Sequence, residues 1–311
     1  MTATTTARVA APPVRTLGQP SARLRAWARR GPLLPALIFM IVVTQLPFVA
    51  TLVISFFDWN ALYPKARHFT GFGNYSDVLT DADLRHSVWT TVLLTVTVVL
   101  VSLVLGLALA LLLDRRFRGR GIVRTLLIAP FLVVPVAAAL LWKHVLYNPE
   151  YGLLNGLLHY VGGPQPDWIS GTPLIAVEAS LVWQWTPFMM LILLAGLQSR
   201  DHQQMEAAQV DGASPWQVFR YLTLPHLRRY LELGALLGSI YIVQNFDAVF
   251  TLTSGGLGTA NLPYTVYQSF YQAHENGLAS AAGVLVVIGS IIIATFALRV
   301  VSSLFREEAS R

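Results

Sequence analysis

Cysteine is absent from the 311 residues, and its absence excludes disulfide frameworks and every thiolate metal, redox or nucleophilic site. Seven histidines remain as soft ligands, at positions 68, 86, 144, 159, 202, 226 and 274. No two of them stand at helical ligand spacing, so no metal centre is expected. Lysine is almost missing as well. Lys65 and Lys143 are followed by Ala66 and His144, so no GxxxxGK[S/T] phosphate loop can form and the chain is not itself an ATPase. Charge of either sign is scarce: 12% of residues are Asp, Glu, Lys or Arg and 54% are apolar, against roughly 25% charged in an ordinary soluble domain. A water-soluble globule with so few charges could not cover its surface. The composition reads as an all-α, polytopic membrane protein.

Six apolar runs are present, each long enough for the ~20 helical residues that cross ~30 Å of hydrocarbon. They are Gly31–Phe57, Trp89–Leu113, Gly121–Trp142, Pro173–Leu197, Tyr230–Leu252 and Leu278–Leu298. The first follows Arg23, Arg25, Arg29 and Arg30 but is too long for a signal-peptide core, so it reads as an uncleaved helix. Glu178 and Glu232 lie near span ends and suit interfacial positions. Pro187 is a candidate kink in the fourth span. Ser102, Gly106 and Ala110 fall four apart on one face of the second, a spacing that permits close helix packing.

The 22 basic residues outnumber the 16 acidic ones, yet they flank the spans rather than forming a nucleic-acid patch. With the N-terminus cytoplasmic, 18 of the 22 fall on the cytoplasmic side, leaving Lys65, Arg67, Arg85 and Lys143 opposite. Both termini are therefore expected in the cytoplasm of a multi-pass membrane protein. The expected organisation is a tail over 1–30, a six-helix transmembrane domain over 31–304 with its core at about 85–304, and a tail over 305–311. Outer loops at 58–88 and 144–172 read as irregular and partly structured.

The loop 199–229 carries most information. Local rules give it a helix from near Ser199 to before Gly212 and a second opened by Ser214 as N-cap with Pro215 in the first position. Pro225 marks a break. Ala207, Ala208, Val210, Trp216 and Phe219 give the loop apolar faces. Those faces either pack on the chain's own helix ends or form a socket for a soluble partner.

Glu206-Ala207-Ala208, three residues, Gly212, nine residues, Leu222, one residue and Leu224-Pro225 resemble the EAA loop of permease subunits of binding-protein-dependent ABC importers. Asp211 and Ala213 complete the EAAxxDGA form of the sugar branch. The resemblance covers roughly Trp27 to Leu304. It includes Leu252-Thr253-Ser254-Gly255-Gly256, which is similar to an LTGGGP segment, Gly277-Leu278-Ala279-Ser280-Ala281, similar to GxASA, and Gly71-Phe72-Gly73-Asn74-Tyr75, similar to GLxNY. Ser254 stands where the family has glycine and Leu257 where it has proline. Arg120-Gly121 through Ala129-Pro130-Phe131, with Asn148-Pro149, resemble the polyol group.

The resemblance implies a type I ABC importer permease fold, a place in the bacterial inner (cytoplasmic) membrane, and a division of labour. An extracytoplasmic solute-binding protein delivers a carbohydrate or polyol, this subunit and a second permease form the pathway, and two copies of a P-loop ATPase use ATP and Mg. No cofactor is bound by this chain directly. The implied coupling residues are Glu206, Ala207, Ala208, Asp211, Gly212, Leu224 and Pro225. Candidates for the pathway are Tyr241, Gln244, Asn245 and Asp247, polar groups inside an apolar run that should face a bundle interior or wet cavity, with Trp183 or Trp185 covering a sugar face. Polar packing between helices accounts for the same four residues equally well. An ion-coupled secondary transporter is the rival reading, since broken polar helices serve such carriers too.

Overall fold

The computed structural model describes residues 34–115 and 117–306. The expected tail 1–30, the first residues of the first span, Arg116 and the last five residues of the expected C-terminal tail lie outside the described residues. Two compact units, Met1–Ala50 and Thr51–Arg311, are taken in turn.

Most of the first helix, α1 (Leu34–Ile54), belongs to the first unit. It has 21 residues, a mean hydropathy of 2.5 and no charged side chain, which makes it about 31 Å long at ~1.5 Å per residue.

The second unit begins with a two-residue ribbon, β1 (Phe57–Asp58) antiparallel to β2 (His68–Phe69), followed by α2 (Gly73–Thr80). Four long helices then make the bundle: α3 (Ala82–Asp114), α8 (Pro173–Gln198), α11 (Leu224–Val243) and α14 (Asn276–Arg306). Asp81 caps α3, its carboxylate accepting from the N–H groups of Asp83 and Leu84. This starts the helix two turns ahead of its apolar run. Between α3 and α8 lie α4 (Arg120–Leu132), α5 (Pro135–Leu141), a π turn at Trp142–Leu146, α6 (Leu153–Tyr160) and α7 (Trp168–Gly171). Between α8 and α11 lie α9 (His202–Val210), α10 (Pro215–Val218) and a π turn at Phe219–Thr223. Next come α12 (Asp247–Thr253), α13 (Leu262–Tyr267) and a π turn at Gln268–Gln272.

The bundle is held where small residues admit large ones. A Cβ on Gly106 of α3 would lie 2.8 Å from Met189 Cβ of α8, and one on Gly238 of α11 would meet the Met189 methyl group. Met189 is fully buried between them, with Leu193, Leu194 and Leu197 below it on α8. Ser102, Gly106 and Ala110 are all buried on one face of α3, the close-packing stripe expected from their spacing.

Among the described residues, four helices are long and apolar enough to cross a membrane, and two bent pairs bring the spans to six when each pair counts once. The bent pairs correct the expectation of continuous helices. Gly121–Trp142 is two helices meeting at 102°. Val133 and Val134 are extended because Pro135 bars the helical conformation to the residue before it, and Gln184 Nε2 takes the freed carbonyl of Val133 (3.2 Å). Tyr230–Leu252 bends by 50° at Gln244–Phe246, where Asn261 Nδ2 donates to the carbonyl of Asn245. One further correction follows. Pro225 does not break the chain: it sits in the first turn of α11, and the preceding π turn keeps the helix continuous from Pro215 to Val243. Lys143, just past the expected end of the third span, is half-buried and donates its ammonium to the carbonyl of Thr251 (2.7 Å), near the negative end of α12.

Candidate functional site

Two regions carry the polar and exposed chemistry, one at each level of the bundle. The first is the connection from α8 to α11. Asp201 caps α9 by accepting from Gln203 N–H (2.9 Å), so the helix starts at His202, three residues after Ser199, near which it was expected. Gly212 closes it at φ +85°, with Gly212 N–H to Gln209 O (3.1 Å) and Ala213 N–H to Ala208 O (2.9 Å). This pair of bonds needs a left-handed residue at that position, which explains glycine there. Ser214 then caps α10 as expected. Its hydroxyl accepts from Gln217 N–H and Gln217 Oε1 accepts from Ser214 N–H (2.7 Å).

Glu206 and Ala207 are exposed, and so are Val210 (87%), Trp216 (69%) and Tyr221 (72%). Ala208, Asp211 and Gly212 border a hollow of about 410 Å³ shared with Gln217, Tyr221 and Leu222. Self-packing accounts for buried Val218 and Thr223 and half-buried Leu224, with Pro225 exposed beside them. It leaves the three large apolar side chains open.

The root of this connection is tied to the bundle by residues that the sequence did not single out. Arg200 Nε donates to Leu197 O (2.8 Å), Nη1 to Thr223 Oγ1 (3.0 Å), and Nη2 pairs with the Asp114 carboxylate. Opposite charges 86 residues apart carry no local signal, whereas the position of Arg200 just before a helix cap was visible.

The second region surrounds the bend after α11. Trp185 stacks on Tyr241 (5.3 Å, 28°), and Phe131 and Phe188 complete the aromatic cluster. Tyr241 is 56% exposed. Gln244, one helical turn on, is exposed with its amide donating to Ile240 O (3.1 Å). Asn245 Oδ1 is buried without a hydrogen-bond partner among the described residues. Asp247 occupies the first turn of α12, where a carboxylate suits the positive helix end. Trp183 lies apart: it turns from Trp185 to meet Trp142 (5.9 Å, 71°) and lines a crevice of about 630 Å³ with Glu178 and Thr97.

At the opposite end from Arg200, the motifs of the outer segments prove architectural. Asn74 donates to the carbonyls of Ser55 and Phe57 (2.8 Å each), Tyr75 shares a 2.6 Å hydrogen bond with Ser55, and a Cβ on Gly277 would collide with Phe57 O. Ser254 adopts φ +51°, the conformation that glycine takes at least cost. Among the described residues no group of three His, Asp or Glu side chains could hold a metal ion.

A four-helix bundle with two bent apolar pairs, an exposed two-helix turn and a polar, aromatic bend has the makings of a membrane transport subunit. The chain belongs to the family of binding-protein-dependent transport system inner membrane components, which matches residues 102–307. It is 36% identical to the probable ABC transporter permease protein y4oQ of Sinorhizobium fredii over 259 residues, covering 82% of this chain and 84% of that one. It is 35% identical to the trehalose/maltose transport system permease protein MalF of Thermococcus litoralis over 260 residues, 82% of this chain and 87% of the other. A chain in the crystal structure of a bacterial alginate ABC transporter, in complex with an alginate pentasaccharide-bound periplasmic protein, superposes with a TM-score of 0.77 at 20% identity. The match covers 91% of this chain and 96% of that one, and it establishes the shared fold. The chain is thus a non-catalytic permease subunit of an ABC importer, a multi-pass protein of the membrane, and the ion-coupled carrier reading falls away. Membership implies a multi-subunit assembly.

Proposed function

We propose that the chain forms half of the translocation pathway of an ATP-driven importer for a sugar or sugar alcohol, with both termini in the cytoplasm. The observation that carries the coupling half of this reading is the exposed α9–Gly212–α10 turn, whose open Val210, Trp216 and Tyr221 offer apolar contact beside the Glu206 carboxylate. Such a surface suits a groove on each side of which a soluble ATPase supplies apolar walls and a cation for Glu206. Two ATPase copies, a second permease and an extracytoplasmic binding protein complete the assembly, and ATP and Mg are used by the ATPase copies. Closure of those copies around ATP would draw on the turn and tilt the bundle between inward-open and outward-open states. The Trp185–Tyr241 pair and the amides of Gln244 and Asn245 match a neutral polyhydroxy solute, which presents an apolar ring face and many hydroxyls. The trehalose/maltose name of one relative points the same way.

The test is purification in mild detergent from native membranes, with bound proteins identified by mass spectrometry for the parent, Glu206→Ala and Gly212→Pro. The expected result is a P-loop ATPase and a second permease bound to the parent, with ATPase recovery reduced in both variants. An intact parent that carries no ATPase, under conditions that preserve other membrane complexes, sinks the proposal. Uptake of labelled trehalose, maltose and a sugar alcohol by the recovered complex then reads the solute class.

A further inference from the structure

One guanidinium gathers three elements at the root of the turn. Arg200 reaches the last carbonyls of α8 through Leu197, the π turn through Thr223, and the last residue of α3 through Asp114. Its side chain is 11% exposed and that of Asp114 27%, and Thr223 is buried. The C-terminal ends of α3 and α8 both carry partial negative charge, and the Asp114 carboxylate adds to it, so a single cation there offsets all three. The bonds leave Arg200 from three different nitrogens. Lysine, with one compact head, cannot replace that fork. Arg200 is also the residue immediately before Asp201, the cap of α9.

We propose that Arg200 is a positioning residue of the transport cycle, carrying displacement of α9 into α3 and α8 together. The proposal rests on reading the α9–Gly212–α10 turn as the ATPase-coupling surface. A shift of α9 pulls on Arg200 at a distance of one residue. Because the fork is largely desolvated, letting go would leave Asp114 and the Thr223 hydroxyl short of a partner, so the three elements move as one. From α3 and α8 the movement passes through the Gly106–Met189–Gly238 contact to α11, the helix that presents Tyr241 and Gln244.

The absence of cysteine from the chain makes a direct test possible. In the assembled complex carrying Gln244→Cys, the rate of maleimide labelling of this chain is measured with and without ATP and vanadate, alongside ATP hydrolysis and partner recovery. Arg200→Lys, Asp114→Asn and Thr223→Val are compared with Thr223→Ser, which keeps the hydroxyl. The expected result is that the first three lose the ATP-driven change in labelling rate by at least about fivefold, the lower range of ordinary coupling between sites, while hydrolysis and recovery persist. Thr223→Ser keeps it. An undiminished ATP response in those three variants overturns the proposal. So does failure of all three to assemble, which would make the bond structural only. A Gln244→Cys complex that binds its ATPase but shows no ATP response overturns it as well, whereas a parent that recovers no ATPase takes down the coupling reading beneath it.

Discussion

Replacing Gly106 with alanine puts a methyl group into a contact that has no room for it. The added Cβ would sit 2.8 Å from Met189 Cβ and 2.8 Å from Met190 N, about 0.7 Å inside the ~3.5 Å at which carbon atoms begin to attract. Neither neighbour is the free end of a side chain. Met189 Cβ and the Met190 backbone move only with α8, which is held in turn by Gly234 and Gly238 of α11 against the Met189 thioether. Overpacking of this kind costs about 1–3 kcal/mol. The matched control is Gly283→Ala on α14, where nothing lies within 4 Å of the new atom. There the change should stabilise by about 0.5–1 kcal/mol through the lost flexibility of glycine. Thermal unfolding of the two purified variants in detergent, followed by tryptophan fluorescence, should move the midpoint in opposite directions. A Gly106→Ala midpoint at or above the parent's would mean that α3 and α8 part freely, and the close-packed account of the bundle would fail.

Ser214→Ala removes the hydroxyl half of the α10 cap and should cost about 0.5–2 kcal/mol locally, read as faster amide exchange over residues 215–218. Asp167 caps α7 and is held below the usual aspartate range chiefly by the Ser170 hydroxyl, then by the N–H of the same residue and that of Ile169. With the folded value lowered, its contribution is present above the unfolded pKa of about 3.9 and lost as pH falls through the folded value. Protection of the amides over 167–172, taken relative to the intrinsic exchange rate at each pH, should therefore fall below about pH 4 in the parent, with no such step in Asp167→Asn. Tyr241→Ala should raise the half-saturating solute concentration about threefold to tenfold, as for loss of one aromatic contact, whereas Tyr241→Phe should stay near the parent. Equal uptake by all three chains would remove Tyr241 from the pathway.

What could be read in advance was local chemistry. Gly212, Ser214 and Pro215 act within a turn or two of themselves, so the sequence rules for a left-handed closure and an N-cap apply without knowledge of neighbours. Hydropathy marked the four continuous apolar helices and both bent pairs but averaged across the bends at Val133 and Asn245, although Pro135 and the Gln244-Asn245 pair carried the signal. The stripe that includes Gly106 was legible from its spacing, but its partner Met189 and the second glycine, Gly238, were not, because they come from two other helices. The same holds for Asn74 and Gly277, two motif residues far apart in sequence that serve one junction. Trp183 and Trp185, taken together in the sequence, part to opposite sides of α8 because two residues advance a helix by about 200°.

The π turn at Phe219–Thr223 has a consequence for insertion and deletion. A π turn holds one residue more than the α-helix around it, so removing any one of the five would leave an unbroken helix and delete no cap or motif glycine. The five residues turn and climb about as far as four of an α-helix do, so α10 would keep its bearing on α11 and Trp216 its direction. The π turn thus absorbs one residue of length between Gly212 and α11 without resetting the angle at which α10 leaves the bundle. A residue added or removed in α11 itself, where no such turn takes it up, would instead rotate the whole coupling surface by about 100° and shift it by ~1.5 Å, so the chain could fold and insert while presenting that surface to the wrong quarter.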